Sequence, residues 1–267
     1  ELGSLSTAAT DMIAVTASGT QTGSAGVTAL NALGGKTGGV VTATLTGSIS
    51  EVASLTTAAT DAIAVTASGT FTGASGVTAL NALVGKTAGV VTATLTGSIS
   101  EVASLTTAAT DVIAVTASGT FTGASGVTAL NALVGKTAGV VTATLTGSIS
   151  EVASLTTAAT DVIAVTASGT FTGASGVTAL NTLAGKTAGV VTATVSGTAS
   201  ELGDLVIATT DAIAMTASGT QTGSSGVTAV NALGTATAGV VTATLTGTIT
   251  ELGSLSTAAT DMIAVTA

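Results

Sequence analysis

The side chains able to do chemistry recur at intervals of fifty residues. Asp11, Asp61, Asp111, Asp161, Asp211 and Asp261 form one acidic series, and Glu1, Glu51, Glu101, Glu151, Glu201 and Glu251 form another, ten residues upstream. A row of carboxylates suits a hard cation such as calcium, which takes several oxygen ligands. The glycine-aspartate nonapeptide of calcium-binding β-rolls and the EF-hand loop are both missing, however. Calcium at Asp61, Asp111 and Asp161 is therefore the alternative to a structural reading, in which each Asp accepts hydrogen bonds from turn amides. Paired carboxylates also hydrolyse glycosides. Identical pairs repeated along a chain that lacks His, Tyr and Trp point instead to Glu stabilising a helix start.

The remaining series are uncharged or basic. Lys36, Lys86, Lys136 and Lys186 stop at Ala236, which reads as a solvated charge near a helix end. Asn31, Asn81, Asn131, Asn181 and Asn231 fall where a helix is expected, and stacked side-chain amides bonding coil to coil would favour them there. Phe71, Phe121 and Phe171 give way to Gln21 and Gln221 in the outer blocks and read as a packing patch at a long turn, or else as an exposed interaction strip. Thr42, Thr44 and Thr46, with Thr92, Thr94, Thr96, Thr142, Thr144 and Thr146, make T-x-T rows that form a candidate interaction or glycan face. No phosphate-binding loop is present, since the GKT at Gly85 to Thr87 lacks its upstream glycine. Without His or Cys no usual nucleophile-base pair can be built, so no enzyme is expected.

The elements that must position these residues are copies of one block. Glu51 to Ser100 reads EVASLTTAATDAIAVTASGTFTGASGVTALNALVGKTAGVVTATLTGSIS, and Glu101 to Ser150 differs from it only by Val112 in place of Ala62. The organisation is one continuous solenoid of fifty-residue repeats, 1–50, 51–100, 101–150, 151–200 and 201–250, with a partial sixth at 251–267. Glu1 to Ala17 is identical to Glu251 to Ala267. The expectation is a window of a longer chain, or one unit of a polymer that associates end to end or laterally.

Each block contains two related halves. Aligning Gly47 with Gly69 places Val41, Ala43 and Leu45 against Ile63, Val65 and Ala67, alternating with hydroxyl or alanine side chains. Such alternation marks half-buried strands, each ended here by its glycine. Ile49, Val52 and Leu55, and Val77, Leu80 and Leu83, are spaced three apart, as on one face of a short helix. Ser50 and Thr78 stand as N-caps, and Gly85 and Gly89 end the second helix. The fold class is a parallel α/β solenoid with two coils per repeat, of about 28 and about 22 residues, and its strands stacked into a rod of about 50 Å. An all-β right-handed β-helix is the alternative.

Composition narrows the function. Hydrophobic residues are 46% and charged ones 6%, the reverse of a disordered chain. A net charge of −9 with four lysines opposes nucleic-acid binding, and no apolar run is long enough for membrane insertion. Strings such as VTATLTGSISE and LTTAATDAIAVTASGT resemble the Thr/Ala/Gly-rich tandem repeats of giant bacterial, cyanobacterial-type cell-surface proteins. The resemblance implies an extracellular or cell-surface structural role, read here as fibre, filament or stalk, while the T-x-T face adds glycans as partners. The flat T-x-T rows also resemble those of ice-binding β-solenoids, so an ice-binding or adhesive surface stands as the alternative function.

Overall fold

The computed structural model describes residues 4–267, so Glu1 lies outside the described residues. Strands and helices alternate along the chain. They are β1 (Val15–Thr22), α1 (Gly23–Gly34), β2 (Val41–Ser48), α2 (Ile49–Val52), β3 (Ala62–Thr72), α3 (Gly73–Val84), β4 (Val91–Ser98), α4 (Ile99–Val102), β5 (Val112–Thr122), α5 (Gly123–Val134) and β6 (Val141–Ser148). There follow α6 (Ile149–Val152), β7 (Val162–Thr172), α7 (Gly173–Ala184), β8 (Val191–Thr198), α8 (Ala199–Gly203), β9 (Ala212–Thr222), α9 (Gly223–Ala236), β10 (Val241–Thr246), α10 (Ile249–Leu252) and β11 (Met262–Thr266). The chain divides into two compact units, one running to Gly119 and including Ala132–Thr142, the other of Thr120–Asn131 and Ala143–Ala267. In the first the strand order is β1-β2-β3-β4-β5 and in the second β7-β8-β9-β10-β11, with parallel pairing. This is the expected α/β solenoid, one strand and one helix per coil.

Alternation assigns the two faces of each strand correctly. Val41, Ala43 and Leu45 are buried, as are Ile63, Val65 and Ala67, while the hydroxyl side chains between them are exposed or half-buried. The helices supply the other half of the core through Val77, Leu80 and Leu83 in α3 and Val52 in α2. Leu55, just beyond α2, is also fully buried.

The pairing register differs from the glycine alignment by two residues. Ala43 pairs with Ile63, Leu45 with Val65, and Gly47 with Ala67 rather than Gly69. A shift of two leaves every side chain on its own face, so alternation could not detect it. Nor do the glycines end the strands. β3 runs on past Gly69, whose φ of 98° belongs to a bulge in which Ala67, Ser68 and Gly69 together oppose Ala93. An L side chain is disfavoured at that angle. After the bulge Thr70, Phe71 and Thr72 pair with Thr94, Leu95 and Thr96.

The register also corrects the picture of fifty-residue columns. Thr66 pairs with Thr92 and Thr92 with Val112, which lies four residues short of Thr116, the equivalent of Thr66. Thr216, Thr242 and Met262 repeat the pattern in the second unit. Equivalent residues one repeat apart are therefore displaced by four positions, about 13 Å, along the strands. Repeats stack obliquely.

The helices begin earlier than spacing suggested. α2 is capped by Ser48, not Ser50, and α3 follows Thr72, not Thr78. Gly85 is the C-cap of α3 with an ordinary right-handed φ of −66°. Gly89 has a different task, because a Cβ there would run into the main-chain carbon and oxygen of Ile63. Only a residue without a side chain allows the two main chains to come so close.

Candidate functional site

Most of the chemically capable side chains turn out to bond coil to coil. Asp61 is 3% exposed, and both carboxylate oxygens accept main-chain N–H groups. Oδ2 accepts from Ala58 at 2.9 Å, within its own turn. Oδ1 accepts from Val41 at 2.8 Å, the first residue of the preceding strand. Asp111 and Asp211 make the same pair of bonds, to Ala108 and Val91 and to Ala208 and Val191. Asp161 accepts from Ala158 at 2.9 Å. Acceptance from turn amides is thus what is seen, and a calcium ion would have to compete with those amides for the same oxygens.

Glu51 serves two helices at once. Its Oε2 accepts from the Ser48 amide at 2.7 Å and the Ser48 hydroxyl at 2.8 Å, completing a capping box on α2. Its Oε1 accepts from the amide and hydroxyl of Ser24, both at 3.2 Å, at the start of α1 in the preceding coil. Glu101, Glu151 and Glu201 reach Ala74, Ala124 and Ala174 in the same way, at 3.0 to 3.1 Å. The long helices have no capping side chain of their own, so their first turn borrows this carboxylate from the next coil. Hydrogen bonds from Ser98, first its amide and then its hydroxyl, hold the Glu101 carboxyl below its ordinary value of 4.5, with the Ala74 amide adding to the effect.

Lysine and asparagine are corrected from solvated charge and stacked amide to main-chain brackets. Lys86 Nζ donates to the Ala53 carbonyl at 2.6 Å, at the C-cap of α2, and Lys136 and Lys186 donate likewise to Ala103 and Ala153. Asn81, on α3, donates from Nδ2 to the Ser104 carbonyl at 3.0 Å and accepts at Oδ1 from the Thr106 amide at 2.9 Å. Asn131 and Asn181 repeat this on Ser154 with Thr156, and on Asp204 with Val206. An amide side chain can donate and accept at once, so it clamps a turn of the following coil without needing another Asn.

The phenylalanines are core residues. Phe71, Phe121 and Phe171 are 2 to 3% exposed, which removes the exposed interaction strip. Gln21 and Gln221 occupy the same site half-buried, and Gln221 turns its amide back to the Ser218 carbonyl at 3.3 Å.

The buried threonines escaped sequence reasoning. Thr87 Oγ1 accepts from the amides of Ile63 and Gly89 at 2.8 and 2.9 Å, and its one hydroxyl hydrogen is donated between the carbonyls of Asp61 and Ile63, at 2.9 and 2.7 Å. Thr37, Thr137, Thr187 and Thr237 stand in equivalent bonds. The signal available was that Thr237 persists after the adjacent lysine has become Ala236. No buried side-chain nitrogen or oxygen among the described residues lacks a hydrogen-bond partner.

What is left open to solvent is the outward face of the sheet. Thr44, Thr94 and Thr144 are exposed, Thr42 is exposed, and Thr46, Thr92, Thr96, Thr142 and Thr146 are half-buried. T-x-T lies on T-x-T at one neighbour only, because Thr44 and Thr46 pair with Thr20 and Thr22 on one side but with Ala64 and Thr66 on the other. Hydroxyls instead run in slanting rows such as Thr22, Thr46, Thr66 and Thr92, closed by the exposed Val112. Comparison with family models, with curated proteins and with solved structures finds no match to the chain.

Proposed function

We propose that the chain is a structural protein, a segment of an extracellular fibre, filament or cell-surface stalk. The observation that carries this reading is the use of the Asp, Glu, Lys, Asn and buried Thr series as coil-to-coil brackets. A molecule whose charged groups are engaged in joining successive coils is built to persist along its length. The resemblance of its repeats to those of giant bacterial surface proteins supports the same role and the extracellular setting, and the exposed Thr44, Thr94 and Thr144 would carry the glycans. Chains carrying three, five and ten repeats test it by small-angle scattering. The greatest dimension should grow in proportion to repeat number, whereas growth as the cube root would sink the reading.

A second reading has its own observation. The slanting hydroxyl rows give an exposed, regular surface of the sort an ice lattice or an adhesive contact would use. Thermal hysteresis that disappears when Thr44, Thr94 and Thr144 become Lys would favour it.

A further inference from the structure

We infer that the uncovered face of the parallel sheet is a pairing surface for the same face of a second copy of this chain. All-parallel sheets are ordinarily covered on both faces. Here the helices cover one face only, and the other is left to solvent. Its composition is unlike the rest of the surface. From β2 to β10 every outward strand position is Val, Ala, Ser, Thr or a bulge glycine, and the acidic and basic side chains all lie elsewhere. Val112 and Val162 stand 40 and 41% exposed among them, and Val90 and Val190 are 42 and 43% exposed just before β4 and β8.

Those facts select the occupant. A molecule of net charge −9 repels its copies wherever its carboxylates meet, and this is the face from which they are absent. No charged group has to be desolvated there, and Thr and Ser hydroxyls, which donate and accept, can hydrogen-bond to their copies across the contact. Short, β-branched side chains of nearly uniform height let two sheets approach to about 10 Å and interdigitate, which bulky or long residues would prevent. A two-fold axis then sets each slanting row against its own copy, the self-complementary contact expected of homodimers. The five-strand face of one unit against its equal would remove on the order of 1,100 Å² from water. That just passes the ~1,000 Å² at which specific interfaces begin, so pairing should tighten as coils are added. The inference needs only the uncovered face and stands whether or not the chain works as a stalk.

Sedimentation velocity over a range of concentrations tests it on the full chain and on two triple variants with the same change in charge. One carries Thr44→Lys, Thr94→Lys and Thr144→Lys on the sheet face, and the other carries Ala32→Lys, Ala82→Lys and Ala132→Lys on exposed helix positions. The unmodified chain and the helix variant should dimerise alike, and the sheet variant should weaken at least tenfold with an unchanged circular dichroism spectrum. Equal weakening in both variants, or an unmodified chain that stays monomeric to about millimolar concentration, would overturn the inference. A monomer with thermal hysteresis that only the sheet variant loses would overturn it too, and would assign the face to ice.

Discussion

The two coils of a repeat solve the same packing problem with different means. The long coil of β3 and α3 has an eleven-residue bulged strand and a twelve-residue helix that buries Val77, Leu80 and Leu83. The short coil of β2 and α2 has a regular eight-residue strand and a four-residue helix that buries only Val52. Apolar burial is concentrated in the long coil. The shared helix cap comes from the short one, whose Glu101-type carboxylate caps its own helix and the long helix before it. Neither coil is complete alone, and the pair is the building unit.

The sharpest way to break that pairing is at Gly89. Gly89→Ala drives a methyl group into the main chain of Ile63, where nothing can swing aside, and should cost at least about 3 kcal/mol by chemical denaturation. Leu80→Ala, in the long coil, should cost about 3 kcal/mol. Thr87→Val keeps the shape but strands the Ile63 and Gly89 amides, for roughly 2 kcal/mol in the same measurement.

Milder changes address the short coil's half of the bargain. Glu101→Ala should lower the thermal midpoint further than Ser98→Ala, since it uncaps α3 as well as α4. Because these Glu carboxyls titrate below their ordinary 4.5, their contribution is fully present above about that pH and is lost as pH falls through the lower folded value. An acid titration of the midpoint should show the loss, and Glu101→Gln should flatten it. The smallest effect is expected from Ala236→Lys, which restores a missing ammonium near the end of α8 and should add a few tenths of a kcal/mol.

How far the sequence reveals this depends on the kind of information each residue carries. Face assignment was legible because inward Val, Leu and Ile differ chemically from outward Thr and Ser. Register was not, since a slip of two preserves that contrast. The cap on α2 is legible in principle, because Ser48 stands three residues before Glu51 as a capping box requires, but Ser50 flanks Ile49 equally and offers the same hydroxyl. The start of α3 was hidden by Gly73 and Gly76, poor helix formers that are tolerated in the first turn. Its end is set by glycine and shows this by exception. Where Thr235 and Ala236 replace Gly85 and Lys86, α9 runs to Ala236 and is fourteen residues long. The bracket roles of Asp, Asn and Thr87 depend on main-chain groups twenty or more residues away, which no local pattern discloses.

The borrowed carboxylate also dictates how the array can be shortened. A chain trimmed back to Val84 would keep a twelve-residue helix while discarding Glu101, the acid that quiets its leading amides. Trimming just beyond Leu105 retains both. Viable lengths should therefore come in whole fifty-residue steps, and a library of randomly placed stop codons would recover soluble product at those steps and little between them.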